Sequence, residues 1–490
     1  MEVLPVSALA IAVCVLTLIR PIAWGLPLFG ATLPLKTAAA VNLTALGDSS
    51  VLISQLSIVA FVTGIIARAD LRRGAIIFAQ KNMPVLLLGA FVSYAAVTAI
   101  FMPRIFEGSI RVLSFSRDTI GVSTLKPMTG NITQSAYLMS ELFLVWAVAF
   151  VVSRPGGLAR AGVMINIFTI SHLAFAVIDA IPASATFMEF FRTANYAIHT
   201  DQQIAGMRRV IGSYSEASAF GASSVLIFAF NFSRFLQTRG TWFFIASLLT
   251  LACAIVSLSS TGFVTLGILG GLWGISIIWG VMAKSGLGRE QMIVFIISIF
   301  LGLLASGMVI LDPVREFVID MYDRLIGGKL STDSGVERSS WNQMALQNAI
   351  DTFGLGVGLG GARASSLATA LLSNTGIFGT ALFIAFLVTS SLRSFPKAKR
   401  EWANASYIYK VRVFNASRAA VLAGLGAGIV SGTTVDLGPT FFTFVGVAVG
   451  ALAAYRNENR VRIKSNTKSA NFLVNRELSV EPQFFGATQT

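Results

Sequence analysis

The chain has 490 residues, 54% of them hydrophobic and 12% charged, with a mean hydropathy of +0.73. Soluble proteins carry about 25% charged residues, and a single soluble core stops growing well short of this length. A water-soluble globular protein is therefore excluded, and the apolar excess needs lipid to face. The net charge of +14 does not indicate a nucleic-acid partner, because Arg and Lys fall in short clusters between apolar runs and form no continuous basic face interleaved with aromatics.

Cys14 and Cys253 both lie inside apolar runs, which argues against a disulfide framework or a cysteine metal site. The two histidines, His172 and His199, are too few for a histidine-rich metal site, so neither a metal nor a cofactor is expected. The opening Met-Glu-Val-Leu-Pro lacks a basic segment of the kind that precedes a cleavable signal, and the first apolar run is expected to stay as a span.

A span needs about 20 mostly apolar residues. In chain order such runs occupy about 3–19, 22–40, 50–67, 82–102, 135–153, 161–181, 216–233, 241–260, 262–283, 291–311, 367–392, 417–435 and 438–455. They predict an all-α polytopic transmembrane helical bundle of 12 or 13 spans, the count turning on the short runs either side of Arg20-Pro21. The positive-inside rule places on the cytoplasmic side the connections bearing Arg68, Arg72, Arg73 and Lys81, then Arg154 and Arg160, Arg234 and Arg239, Lys284 and Arg289, the stretch from Arg393 to Arg418, and the tail from Arg456. Residues 1–455 form the membrane domain in this reading. The polar, basic tail 456–490 is expected to be disordered in the cytoplasm.

The opposite, periplasmic side then holds three long connections, about 103–134, 182–215 and 312–366. Loops of that length between spans are where binding and chemistry concentrate. Loop 312–366 is dense in charge and contains a helix of its own. Ser334-Gly-Val-Glu337 fits a capping box, and Trp341, Met344, Ala345, Ala349 and Phe353 follow at helical spacing, with Gly354 to end the helix. Arg338 lies three residues before Trp341 and so projects from about the same face, either into a partly enclosed cleft or onto a loop carboxylate such as Asp333.

The run Gly354-Leu-Gly-Val-Gly-Leu-Gly-Gly361 contains a G-x-G-x-x-G match, but a dinucleotide fingerprint needs a strand before it, and here a helix precedes. Close backbone packing is the favoured role of Gly356 and Gly358, with exposed amides for a phosphate as the sharper alternative. A second cluster is Arg208-Arg209-Val-Ile-Gly-Ser-Tyr-Ser-Glu-Ala-Ser218, immediately before a span. Two arginines on the outer side work against topology, yet their forked guanidinium groups suit an anionic headgroup or a pyrophosphate. A structural pair with Glu216 is the equal alternative. Of the remaining ionisable residues within spans, Glu141, His172 and Asp179 are candidates by position, and Asp436 reads as a plain turn residue.

Taken together, these segments resemble the O-antigen polymerase/ligase superfamily of Wzy- and WaaL-like proteins, which includes exopolysaccharide polymerases. The resemblance rests on Arg209-x-x-Gly212-Ser213-x-x-Glu216-x-Ser218 entering a span, and on Ser257-Leu-Ser-Ser-Thr-Gly262 downstream. It rests also on Arg338-x-x-Trp341, Phe353-Gly-Leu-Gly-Val-Gly358 and Asn374-Thr-Gly-x-x-Gly379. The ligase branch typically has a His eleven residues before the Gly-x-x-Gly pair, where this chain has Ser365; the departure favours the polymerase branch.

What the resemblance implies is glycosyl transfer on the periplasmic face of a bacterial inner membrane, from an undecaprenyl-pyrophosphate-linked donor to a lipid-linked acceptor repeat unit. Membrane lipid and chain-length regulators or export proteins are the further partners. The expected catalytic residues are Arg209 and Arg338, holding the departing pyrophosphate without a metal, and Glu216 as base, with Glu337 second. Arg208, Tyr214, Arg324, Trp341, Gly356, Gly358, Arg363 and Ser365 are expected to line the substrate. A ligase delivering glycan to another acceptor is the first alternative, and a transporter or flippase of lipid-linked glycans, which requires interrupted helices, the second.

Overall fold

A computed structural model describes residues 2–43, 49–115, 120–204, 206–282, 288–309, 315–316, 319–320, 327, 333–398 and 404–478. Lys284 and Arg324 lie outside the described residues.

The first three helices, α1 (Ser7–Ile19), α2 (Pro21–Thr32) and α3 (Ile53–Ala67), are short. Each rises about 20 Å, less than the roughly 30 Å hydrocarbon core. Arg20-Pro21 turns the chain back, with proline at the first position of α2, where its missing N–H costs nothing. The apolar run expected to continue to residue 40 instead ends at Thr32, just before Pro34, and Ala39–Leu43 forms a strand. At Arg68 the chain bends by 107° into α4 (Ala69–Lys81). This stretch, expected as a plain connection, is an amphipathic helix that buries Leu71 and Ala75 and exposes Arg72 and Arg73.

The remaining helices are α5 (Met83–Ile105), α6 (Thr129–Val152), α7 (Gly157–Ala180), the short α8 (Ala185–Glu189), α9 (Ala217–Thr238), α10 (Thr241–Val256), α11 (Ser260–Met282) and α12 (Arg289–Val309). They continue with α13 (Asp333–Asp351), α14 (Leu367–Leu387), α15 (Ala405–Ser431) and α16 (Gly438–Leu478). The protein is an all-α polytopic bundle, with a helix at every apolar run. Among the described residues eight helices are long and apolar enough to cross a membrane, or nine if α3 and α4 count as one broken span. The apolar helices α1 and α10 are shorter, because length in an apolar run does not guarantee length in a helix.

Helices α6, α9, α15 and α16 form the centre; the apolar segment of α16 is 83% buried, against 22% for α11 at the periphery. Glycines make this packing close. A Cβ on Gly450 would sit 2.5 Å from the Val152 side chain, and one on Gly424 2.6 Å from Phe441.

Helix α13 begins at Asp333, so Ser334 lies inside it and is not its cap. Helix α16 runs on to Leu478, so residues 456–478 are helical and not the unstructured tail expected from composition. A helix already nucleated by an apolar segment propagates cheaply through good helix formers, here helped by the Glu458–Arg462 pair one turn apart.

Short strands cap one end of the bundle. Glu2–Val3, Ala39–Leu43 and Ser49–Leu52 form one antiparallel sheet, Arg111–Phe115 and Ile120–Thr124 a hairpin, and Gln203–Ile204 and Met207–Arg208 a second. The connections at this end are tied together: Lys36 N and Thr37 N donate to Ser213 O at 3.1 and 3.2 Å, Asn195 N to Ser50 Oγ at 2.7 Å, and Arg363 N to Leu113 O at 3.0 Å. The opposite end carries the basic connections.

Candidate functional site

The capped end holds a cavity of about 520 Å³ where the loop after α2, the starts of α3, α9 and α16, the middle of α6 and the end of α15 converge. Its ionisable lining is Lys36, Glu141, Glu216 and Asp436, among the hydroxyls of Tyr137, Tyr196, Ser215, Ser218, Ser223 and Thr434.

Each carboxylate arrives by a different local device. Glu141 projects from the middle of α6; it is 2% exposed, and its Oε2 is buried without a hydrogen-bond partner among the described residues. Glu216 caps α9, where a carboxylate complements the helix dipole, and accepts from the Ser218 hydroxyl. Asp436 does fill the turn role expected of it, since its Oδ1 accepts from Gly438 N at 2.8 Å. The same turn places it at the cavity, within electrostatic reach of Lys36 and Glu141. Burial raises the Asp436 carboxyl above its usual range, opposed by the Gly438 amide and Lys36. Burial likewise brings the Lys36 ammonium down to about 8, against the pull of Glu141 and Asp436. The Tyr196 phenol, bonded to Lys36 O, is raised by burial.

Of the residues expected from sequence, Glu216 and Tyr214 border this cavity. Arg209 stands beside it: its Nε donates to Ser257 O at 3.1 Å, its Nη1 to Gln202 Oε1 at 2.6 Å, and Glu216 offsets the lowering of its pKa by burial. Arg363 is half-buried and interacts electrostatically with Tyr137, a cavity residue.

The other expected residues that the structure describes do not line this cavity. Arg208 Nη2 pairs with Asp179 Oδ1 at 3.1 Å, alongside Arg192 at 2.6 Å. Asp179 Oδ2 also accepts from the amides of Ile211 and Gly212 at 2.8 and 3.0 Å. Arg208 therefore belongs to the anchor of its own loop, and Asp179 is paired, which is what makes a buried carboxylate tolerable. His172 is likewise a satisfied core residue, with Nδ1 at 3.1 Å from the Tyr214 hydroxyl and Nε2 at 2.9 Å from Ser224 Oγ.

Gly356 and Gly358 are buried packing positions and not a phosphate nest. Both have positive φ (82° and 91°), the Gly356 amide is spent on Thr352 Oγ1 at 2.9 Å, and a Cβ on Gly358 would lie 2.5 Å from Thr98 O. Ser365 is 4% exposed, its amide held by Asn342 Oδ1 at 2.9 Å where α13 meets the start of α14. Glu337 is exposed on α13. Arg338 and Trp341 are half-buried on the face that also buries Ala345 and Asn348, as expected, but neither borders the cavity.

Lys36, Tyr137 and Tyr196 were not expected. A signal for Lys36 is present, since it is the sole basic residue between Pro21 and Ala67, and an isolated charge in an apolar stretch marks a functional candidate. The tyrosines carry no such signal. The arrangement supplies buried carboxylates, one titratable amine and a wall of hydroxyls, with two arginines just outside. It is a site able to bind a polyhydroxylated group, to take up a proton and to hold an anion at its edge. No protein-family model matches the chain, and no curated protein matches it.

Proposed function

We propose that the chain is a membrane glycosyltransferase that polymerises undecaprenyl-pyrophosphate-linked repeat units on the periplasmic face, and that the capped cavity receives the acceptor sugar. The resemblance of the Arg209–Ser218 and Arg338–Gly379 segments supplies the reaction class. The observation that carries the reading is the cavity itself, in which Glu216 stands among sugar-compatible hydroxyls within electrostatic reach of Arg209.

The charge balance divides the work. Three carboxylates and one amine line the cavity, an unfavourable home for a pyrophosphate but a suitable one for hydroxyls and a base. In the proposed step Glu216 removes the acceptor hydroxyl proton as that oxygen attacks the donor's anomeric carbon. The bond from that carbon to the pyrophosphate oxygen breaks, and its electron pair leaves with the pyrophosphate. Arg209 and Arg363, beside the cavity, are proposed to hold the departing anion.

The test uses cells in which this gene is the sole source of the activity. R209K and R363K keep the charge but lose the fork, and each should reduce long polymer by about tenfold or more, while R208K leaves its amount unchanged per folded protein. Unchanged polymer in both R209K and R363K would remove the arginines from the reaction.

One observation favours a second reading. Helix α14 is broken at Gly376 (φ 65°, ψ −169°), and interrupted helices are a mark of transporters. However, Ile377 N bonds Gly354 O at 2.9 Å and Val357 N bonds Ser373 O at 2.7 Å, so the groups around the break are taken up by protein backbone and not left for a substrate.

A further inference from the structure

The basic end of the bundle holds a second and larger cavity, of about 1040 Å³, between α4, the α6–α7 turn, the start of α15 and the middle of α16. Six cations from these separate elements line it: Lys81, Arg154, Lys410, Arg456, Arg460 and Arg462. The acid among its lining residues, Glu458, is already bonded by Lys410 and, at 2.6 Å, by Arg462. Lys81, Arg154, Arg456 and Arg460 thus have no carboxylate partner among the described residues.

Topology alone requires positive charge on this side of the membrane. It does not require cations from four elements to face one concavity, where their mutual repulsion opposes folding. A further feature marks this as more than a charged loop. Ile77, Phe78 and Phe150 give the same cavity an apolar flank, and α4 lies bent away from α3 with Ile76 exposed, as a helix resting at a lipid surface would.

We propose that this cavity binds a phosphate-bearing anion, either the headgroup of an acidic phospholipid or a soluble phosphate compound. Guanidinium groups recognise phosphate oxygens by charge-assisted, forked hydrogen bonds, and basic pockets between spans at this membrane surface take anionic headgroups. The bound anion offsets part of the charge of these four cations and ties α4 to α15 and α16.

The full-length protein in neutral detergent tests this, with short-chain phosphatidylglycerol, phosphatidylcholine and inorganic pyrophosphate as probes and binding read by native mass spectrometry. The wild type is expected to bind phosphatidylglycerol and to ignore phosphatidylcholine. Removing two converging charges in R154Q/R456Q should weaken binding on the order of thirtyfold, at about fivefold per charge near the surface. R72Q/R73Q removes the same charge from the exposed face of α4, outside the cavity, and should leave binding unchanged. If R154Q/R456Q fails to fold, R460Q, on the exposed side of α16, is expected to weaken binding about fivefold by the same reckoning. Pyrophosphate that displaces the lipid identifies phosphate alone as sufficient; a lipid that pyrophosphate cannot displace identifies the headgroup with its chains. Equal loss in both double variants, or no binding of either anion by the wild type, would overturn the proposal. Neither result bears on polymer formation at the other end.

Discussion

Lys36 sits where a small change in pH changes the charge of the candidate site. Its ammonium titrates near 8 in the folded protein, against 10.5 for an unburied lysine. Between those values the unfolded chain holds a proton that the folded chain has released, so stability rises with pH across that window. Thermal unfolding in detergent should show this rise in the wild type and lose it in K36M; an identical slope in both would mean that Lys36 is not the titrating group. Asp179 makes a different residue-scale prediction. It anchors two arginines and two amides, so D179N leaves cations unpaired and should destabilise the protein by about 3 kcal/mol, measured as a lower unfolding temperature. At this scale the sequence was half legible. Arg209 and Glu216 stand out because charge beside a span demands a reason, whereas Arg208 looks identical to Arg209 in the chain and is separated from it only by which carboxylate it reaches.

At the level of elements, the break in α14 and the glycine loop that fills it are one device. Gly356 has φ of 82°, and a Cβ on it would lie 2.7 Å from Gly376 N, so G356A meets both backbone strain and a backbone atom that cannot move aside. A loss of about 2 kcal/mol or more is expected. Gly267 of α11, where an added Cβ meets nothing within 4 Å, serves as control, and G267A should be neutral or slightly stabilising. Comparable behaviour of the two would contradict the packing role. Apolar runs made the helices legible in order and number of segments. Their lengths were not, because the Arg20-Pro21 turn, the bend at Arg68 and the kink at Gly376 are tertiary choices. The helical continuation of α16 past residue 455 was missed for the converse reason, as composition reports solubility and not the cheap extension of an existing helix.

Across the whole molecule the two ends differ in chemistry. One is capped by short strands over a cavity rich in hydroxyls and carboxylates, and the other gathers unpaired cations. The proposed function puts the first end in the periplasm, as the positive-inside rule expects. Single cysteines at exposed sites should report this directly: S340C on α13 is expected to react with an impermeant thiol reagent in intact spheroplasts, and N457C on α16 only after lysis. The reverse pattern would invert the protein and remove the capped cavity from the periplasmic face. The most direct measurement is of lipid-linked and surface glycans in cells whose only copy of this protein carries E216Q. Accumulation of single lipid-linked repeat units, with long polymer lost, is the expected result. Normal long polymer, from protein present at wild-type levels, would contradict the placing of glycan polymerisation at this cavity.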